Sequence, residues 1–147
     1  MITAKDIAQF FIKKGLDEDE SDVTNLKLQK LLYYSKGFHQ AIFNKPLYNE
    51  QLFAWSSGFV VPEIYYEYKK YGNHPITDFE YNPCDKFNEE QLDLLHGIWS
   101  VFGKFSSWKL RNMILNEKTW LDHEKDASAI EDYESFDYFQ TRLTNIK

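Results

Sequence analysis

The stretch from Thr24 to Phe43 limits the fold more than any other part of this sequence. Thr24 is a residue type that caps helices, and Leu28, Leu31, Leu32, Ser35, Phe38, His39 and Ile42 then recur on one side of a helix with 3.6 residues per turn. The opposite side is no polar face, since Leu26, Tyr33, Gly37 and Ala41 share it with Gln29 and Lys30. A helix that is apolar on two sides is expected to be central, with the rest of the chain wrapped around it. Gly37 gives up a side chain in mid-helix and predicts close approach by a neighbouring backbone. Material for the wrap is present: 43% of residues are hydrophobic and 18% aromatic. A chain of 147 residues supplies one domain, residues 1–147, large enough for a real core.

Local signals predict the surrounding pieces. Thr3 with Asp6 opens a helix over residues 4–14, and Gly15 supplies its stop. The acidic run from Leu16 to Asp22 reads as a solvated connector. Asn44, Lys45 and Pro46 end the central helix, and Leu47 to Trp55 is short and mixed, fitting an irregular or strand-like segment. Pro62 suits the first turn of a helix over residues 62–71, closed by Gly72, with Ile64, Tyr65, Tyr68 and Tyr71 as its stripe. Pro75 to Cys84 reads as a loop. Asn88 with Gln91 forms a capping box for a helix ending at Gly103, and Ser106 or Ser107 caps another that carries Trp108, Leu110, Met113 and Ile114. Thr119 to about Lys125 adds a further turn or two, and Ser135 precedes a terminal helix with Phe136, Phe139 and Leu143. The expected fold is therefore mainly α, a compact bundle-like single domain with a short irregular or β-like segment between the second and third helices.

Several kinds of chemistry lack their residues. No apolar run approaches the roughly 18 residues that span a bilayer, the N-terminus lacks a secretory cleavage pattern, and Cys84 is the single cysteine, so a cytoplasmic protein is expected. Seventeen Lys plus Arg against 23 Asp plus Glu give a net charge of −6, which opposes nucleic-acid binding through counterion release. The acidic run has Asp22 and Leu28 where a calcium loop needs Gly and Glu, and the four histidines show no zinc spacing with Cys84. A Gly-rich phosphate loop and a Gly-x-Ser-x-Gly elbow are both missing. No catalytic residue, metal or cofactor is expected. His39, set within an apolar stripe, is read as a neutral core imidazole with a polar partner, or alternatively as a ligand or partner residue. Gln29 and Lys30 beside Tyr33 fit either a contact surface or a core edge.

The run Thr24-Asn25-Leu26-Lys27-Leu28-Gln29-Lys30-Leu31-Leu32-Tyr33-Tyr34-Ser35-Lys36-Gly37-Phe38-His39 resembles the opening signature of the Panacea domain family, the SocA-like antitoxins and phage-associated GepA-like proteins. The likeness continues through Lys45-Pro46-Leu47, Ala54-Trp55, Gly58 to Tyr65, and Tyr71-Gly72, and returns more weakly in Leu110 to Trp120. It implies a mainly helical interaction module that neutralises a cognate toxin by direct binding. One branch of the family is similar to a proteolytic adaptor that delivers its toxin to a AAA+ protease. The chain departs from the family pattern in two places: Ser57 and Phe59 flank Gly58 where an aromatic or His and then Pro are common, and Leu115, five residues before Trp120, stands where His is usual.

On this reading Lys27, Lys30, Tyr33, Tyr34, Trp55, Glu63 and Tyr66 are the candidate partner contacts, with affinity resting on aromatic anchors inside a polar rim. Gln29, Gly37, His39, Gly58, Pro62 and Trp120 are the structural residues of the motif. Two other functions compete: a small-ligand site or enzyme pocket built from Gln29, His39, Trp55 and Glu63, and repression of the protein's own operon, which the acidic balance disfavours.

Overall fold

In the computed structural model, which describes residues 1–18 and 22–144, the Thr24 hydroxyl accepts from the Lys27 amide at 3.2 Å and starts helix α2 (Asn25–Phe43). Every residue from Lys27 to Ala41 is buried. Asn44 ends the helix in the left-handed conformation, φ 53°, which asparagine tolerates. The apolar stripe stops one turn earlier than its periodicity predicts, at His39, and Ile42 is 47% exposed.

Seven α-helices, two 3-10 turns and one hairpin are found among the described residues, and most of the helices pack directly on α2. Helix α1 (Ala4–Asp17) begins with the expected capping box, Thr3 and Asp6 each bonding the other's backbone N–H. It runs past Gly15, which is buried inside it, to Asp17; the Lys13–Asp17 pair at 2.8 Å spans the last turn and helps offset the helix cost of glycine. Of the acidic connector, Asp19, Glu20 and Ser21 lie outside the described residues. Its flanks are engaged rather than merely solvated, for Glu18 accepts from the Trp99 indole at 2.8 Å and Asp22 from the Lys27 ammonium at 2.8 Å.

The strand-like segment resolves into a short antiparallel hairpin, β1 (Phe53–Trp55) and β2 (Gly58–Val60), with Trp55 opposite Gly58. Gly58 has φ +118°, a conformation side-chain-bearing residues rarely adopt, so the tight Ser56–Ser57 turn depends on it. The outer edge of β1 is covered by residues 128–130: the Ala54 amide donates to Ser128 O and the Ile130 amide to Leu52 O. Helix α3 (Pro62–Glu67) has Pro62 in its first turn. Where one helix over 62–71 was expected, the chain breaks at Tyr68, which turns inward to meet Gln9, and resumes as a 3-10 turn at Lys69–Tyr71.

Helix α4 (Glu89–Phe102) starts with the Asn88–Gln91 capping box and α5 (Ser107–Ile114) with Ser106. Helix α6 is one turn, Lys118–Leu121, shorter than the expected run to Lys125. Helix α7 (Asp132–Thr144) begins three residues before Ser135 and lies along α2. A Cβ at Gly37 would stand 2.1 Å from Phe139 Cε2, so what approaches Gly37 is an aromatic ring and not a backbone. Around it the core is aromatic: Tyr34 stacks on Phe102 with centroids 4.1 Å apart, Tyr33 on Phe59 at 4.8 Å, and Phe38 meets Phe139 edge-on at 4.8 Å. No helix among the described residues is long and apolar enough to cross a membrane.

Candidate partner-binding surface

The polar residues of α2 build the surface from below. Gln29 accepts the Val61 amide at 2.9 Å, a helix-start N–H with no side-chain cap, and donates at 3.0 Å to Asn25. Asn25 in turn donates to Tyr65 O at 2.9 Å. Helix α3 is thus fixed to α2 at both ends. From the other side the buried Trp120 indole donates to Trp55 O at 2.8 Å, holding the end of β1.

What these bonds hold outward is a ring cluster. Trp55 meets Tyr65 edge-on at 5.2 Å and Tyr66 at 6.2 Å, while Tyr65 and Tyr66 are 5.5 Å apart. Tyr66 is 62% exposed, Trp55 and Tyr65 are half-buried, and the exposed Glu63 forms no ion pair with a described residue. Lys69 lies over the Tyr66 ring at 5.8 Å and supplies a cation at the edge. Tyr65 belongs to this patch although its spacing assigned it to the core stripe. The adjacent Tyr65 and Tyr66 point about 100° apart on a six-residue helix that buries only Ile64, shorter than the helix over 62–71 that the sequence predicts.

Four of the seven sequence-derived contact candidates lie inside. Lys27 is fully buried, donating to Gly103 O at 2.5 Å and to Asp22. Lys30 is also fully buried, and its ammonium makes no hydrogen bond to a described residue. A Cβ at position 58 would stand 3.2 Å from its Nζ. Burial, with the charge of Arg111 nearby, lowers the Lys30 ammonium to about 7. Tyr33 and Tyr34 both donate to the buried Glu117, at 2.7 and 2.6 Å, and Arg142 reaches the same carboxylate at 3.0 Å. Thr119 lies 2.6 Å from the Tyr33 hydroxyl. Burial and the Glu117 charge push both phenols well above their ordinary value. These four residues are enclosed because α2 is covered on all sides, which leaves Trp55, Glu63 and Tyr66 at the surface.

His39 sits at the far end of α2, ten residues and roughly 15 Å from Gln29. Its Nδ1 lies 2.8 Å from Lys45 O and its Nε2 3.3 Å from Gln91 Nε2, so the tautomer that satisfies both donates from Nδ1 and accepts at Nε2. Burial lowers the imidazole below its ordinary value and keeps it neutral. Gln29, His39, Trp55 and Glu63 therefore do not converge, and none of them lines the cavities of about 570, 110 and 100 Å³ found among the described residues. Among the described residues no group of His, Cys, Asp and Glu is arranged to hold a metal ion.

A family model described as antitoxin SocA-like, Panacea domain, matches residues 28–121, well over half of the chain. The chain belongs to this family. No curated protein and no solved structure matches it. The matched span of this Panacea domain contains the Gln29 bond to Val61, the hairpin, the aromatic patch and Trp120. Its two departures are filled by packing: Phe59 is fully buried against Tyr33, and Leu115 is half-buried at the edge of the core.

Proposed function

We propose that this protein neutralises a cognate toxin by binding it through the Trp55–Tyr65–Tyr66 patch, with Glu63 and Lys69 at its rim. The observation that carries the reading is the pairing of an exposed aromatic cluster with a rigid mount. Gln29, Pro62 and Trp120, residues of the family motif, fix the backbone that presents Trp55 and Tyr66, so little ordering cost remains for binding. Tyrosine and tryptophan supply large amphipathic contact area with few rotatable bonds, the usual make-up of an interface anchor. Mechanistically this is sequestration in the cytoplasm, by contact and without chemistry on the toxin.

Co-expression with the product of any toxin-like reading frame found beside its gene tests it. Growth should be rescued, the two chains should co-elute, and Tyr66→Ala with Glu63→Ala should abolish both while the melting temperature holds. Rescue that persists without a detectable complex contradicts sequestration. If rescue instead requires a AAA+ protease, the protein delivers its toxin for degradation, as in the adaptor branch of the family.

A further inference from the structure

Helices α6 and α7 flank an open cleft of about 570 Å³, within the size range of ligand sites, lined by aromatic and charged side chains. Tyr133 and Tyr138 give it aromatic sides, and Asp122, Glu134 and Asp137 face it with only Lys118 in opposition. The carboxylates differ in their commitments. Asp122 is paired with Lys118, and Glu134 accepts from His123 at 2.8 Å and from the Glu131 amide at 3.0 Å. Asp137 makes no hydrogen bond or ion pair with a described residue, and it stands one helical turn from Tyr133, which is 69% exposed.

We infer that this cavity receives an arginine side chain from a basic segment of a partner protein. A guanidinium suits it in two ways that an ammonium does not, stacking flat on a tyrosine ring while both nitrogens of its fork meet one carboxylate. Anionic groups are repelled by the walls, and the net charge of −6 attracts a basic partner at longer range. Helix α6 links the cavity to the aromatic patch, since Thr119 lines the one and Trp120 holds Trp55 in the other, so a single partner can reach both. Only the identification of that partner as a toxin rests on the function proposed above.

The test is a titration of the isotopically labelled full chain with acetyl-triarginine amide, followed by amide chemical shifts. Shifts should concentrate in residues 118–122 and 133–141, be weaker with acetyl-trilysine amide and be absent with the triglutamate peptide. Asp137→Asn should weaken triarginine binding about tenfold and Tyr133→Ala about threefold, both at unchanged melting temperature because the two side chains are exposed. Equal binding by Asp137→Asn, or shifts spread over all acidic segments, overturns the site and reduces the effect to general ionic attraction. Toxin rescue plays no part in this readout. A localised titration without rescue keeps the cavity and removes the toxin, whereas a flat titration beside intact rescue removes the cavity and keeps the toxin.

Discussion

Two tyrosine pairs occur in this chain, and their fates are opposite. Tyr33–Tyr34 in α2 is buried, with both hydroxyls on Glu117, while Tyr65–Tyr66 in α3 piles its rings on Trp55 and leaves its hydroxyls without a described partner. Adjacent helical residues point about 100° apart, so both can be buried only where the helix is covered on every side. Helix α2 meets that condition and α3, at the edge, does not. The same dipeptide is therefore a core element in one place and part of an exposed ring cluster in the other, and the surrounding packing decides which.

The sharpest way to break this contrast is to remove the carboxylate that keeps the inner pair satisfied. Glu117→Ala orphans the Tyr34 hydroxyl, leaves the Tyr33 hydroxyl with Thr119 alone and takes the carboxylate from Arg142, and should cost roughly 3–5 kcal/mol in urea unfolding. A loss below about 1 kcal/mol means that the hydroxyls do not depend on Glu117. Next in size is Gly37→Ala, whose methyl would meet the Phe139 ring that covers Tyr33 and Tyr34. It should cost about 1–3 kcal/mol despite the gain in helix propensity, and Phe139→Leu in the same chain should recover part of it.

An effect of opposite sign is expected at Lys30, one turn before Tyr33 and Tyr34. Its folded-state value of about 7 lies below the ordinary 10.5, so between those two pH values the unfolded chain binds the additional proton and stability rises with pH, by up to ~1.4 kcal/mol per unit. Lys36 is lowered by burial and acts in the same direction. The raised Tyr33 and Tyr34 work the other way above about pH 10, where unfolded tyrosine ionises, which makes pH 7–9 the window to read. Lys30→Met should raise the unfolding midpoint at pH 7 and flatten most of the slope; a midpoint that falls would mean that the ammonium is satisfied after all. Smallest is Tyr66→Ala, whose exposed ring should change stability by no more than about 0.5 kcal/mol. A larger loss in thermal melts would assign the outer pair to the fold.

How far these elements were legible in the sequence followed the range of the interactions that make them. Helix α2 and the starts at Thr3, Thr24, Asn88 and Ser106 were readable because each capping signal acts within three residues. Glu117 was not, since its tyrosine partners are 83 and 84 residues away and it lies between two short helices with no periodicity of its own. Lys27 and Lys30 were assigned outward because lysine ordinarily stays solvated, and only the enclosure of α2 overrides that preference. Trp55, Glu63 and Tyr66 were readable as surface candidates, but Tyr65 and the α6–α7 cavity needed the tertiary placement of short helices.

On the proposed function the outer pair binds a partner, while the inner pair holds the fold. Calorimetry on purified chains, with melting temperatures in parallel, compares the affinity of wild type and Tyr66→Ala for a toxin that the protein neutralises in co-expression. A hot-spot tyrosine should raise Kd by about 30-fold when truncated, with the melting temperature unchanged. An unchanged Kd would contradict the account, and so would a weaker Kd matched by a fall in stability.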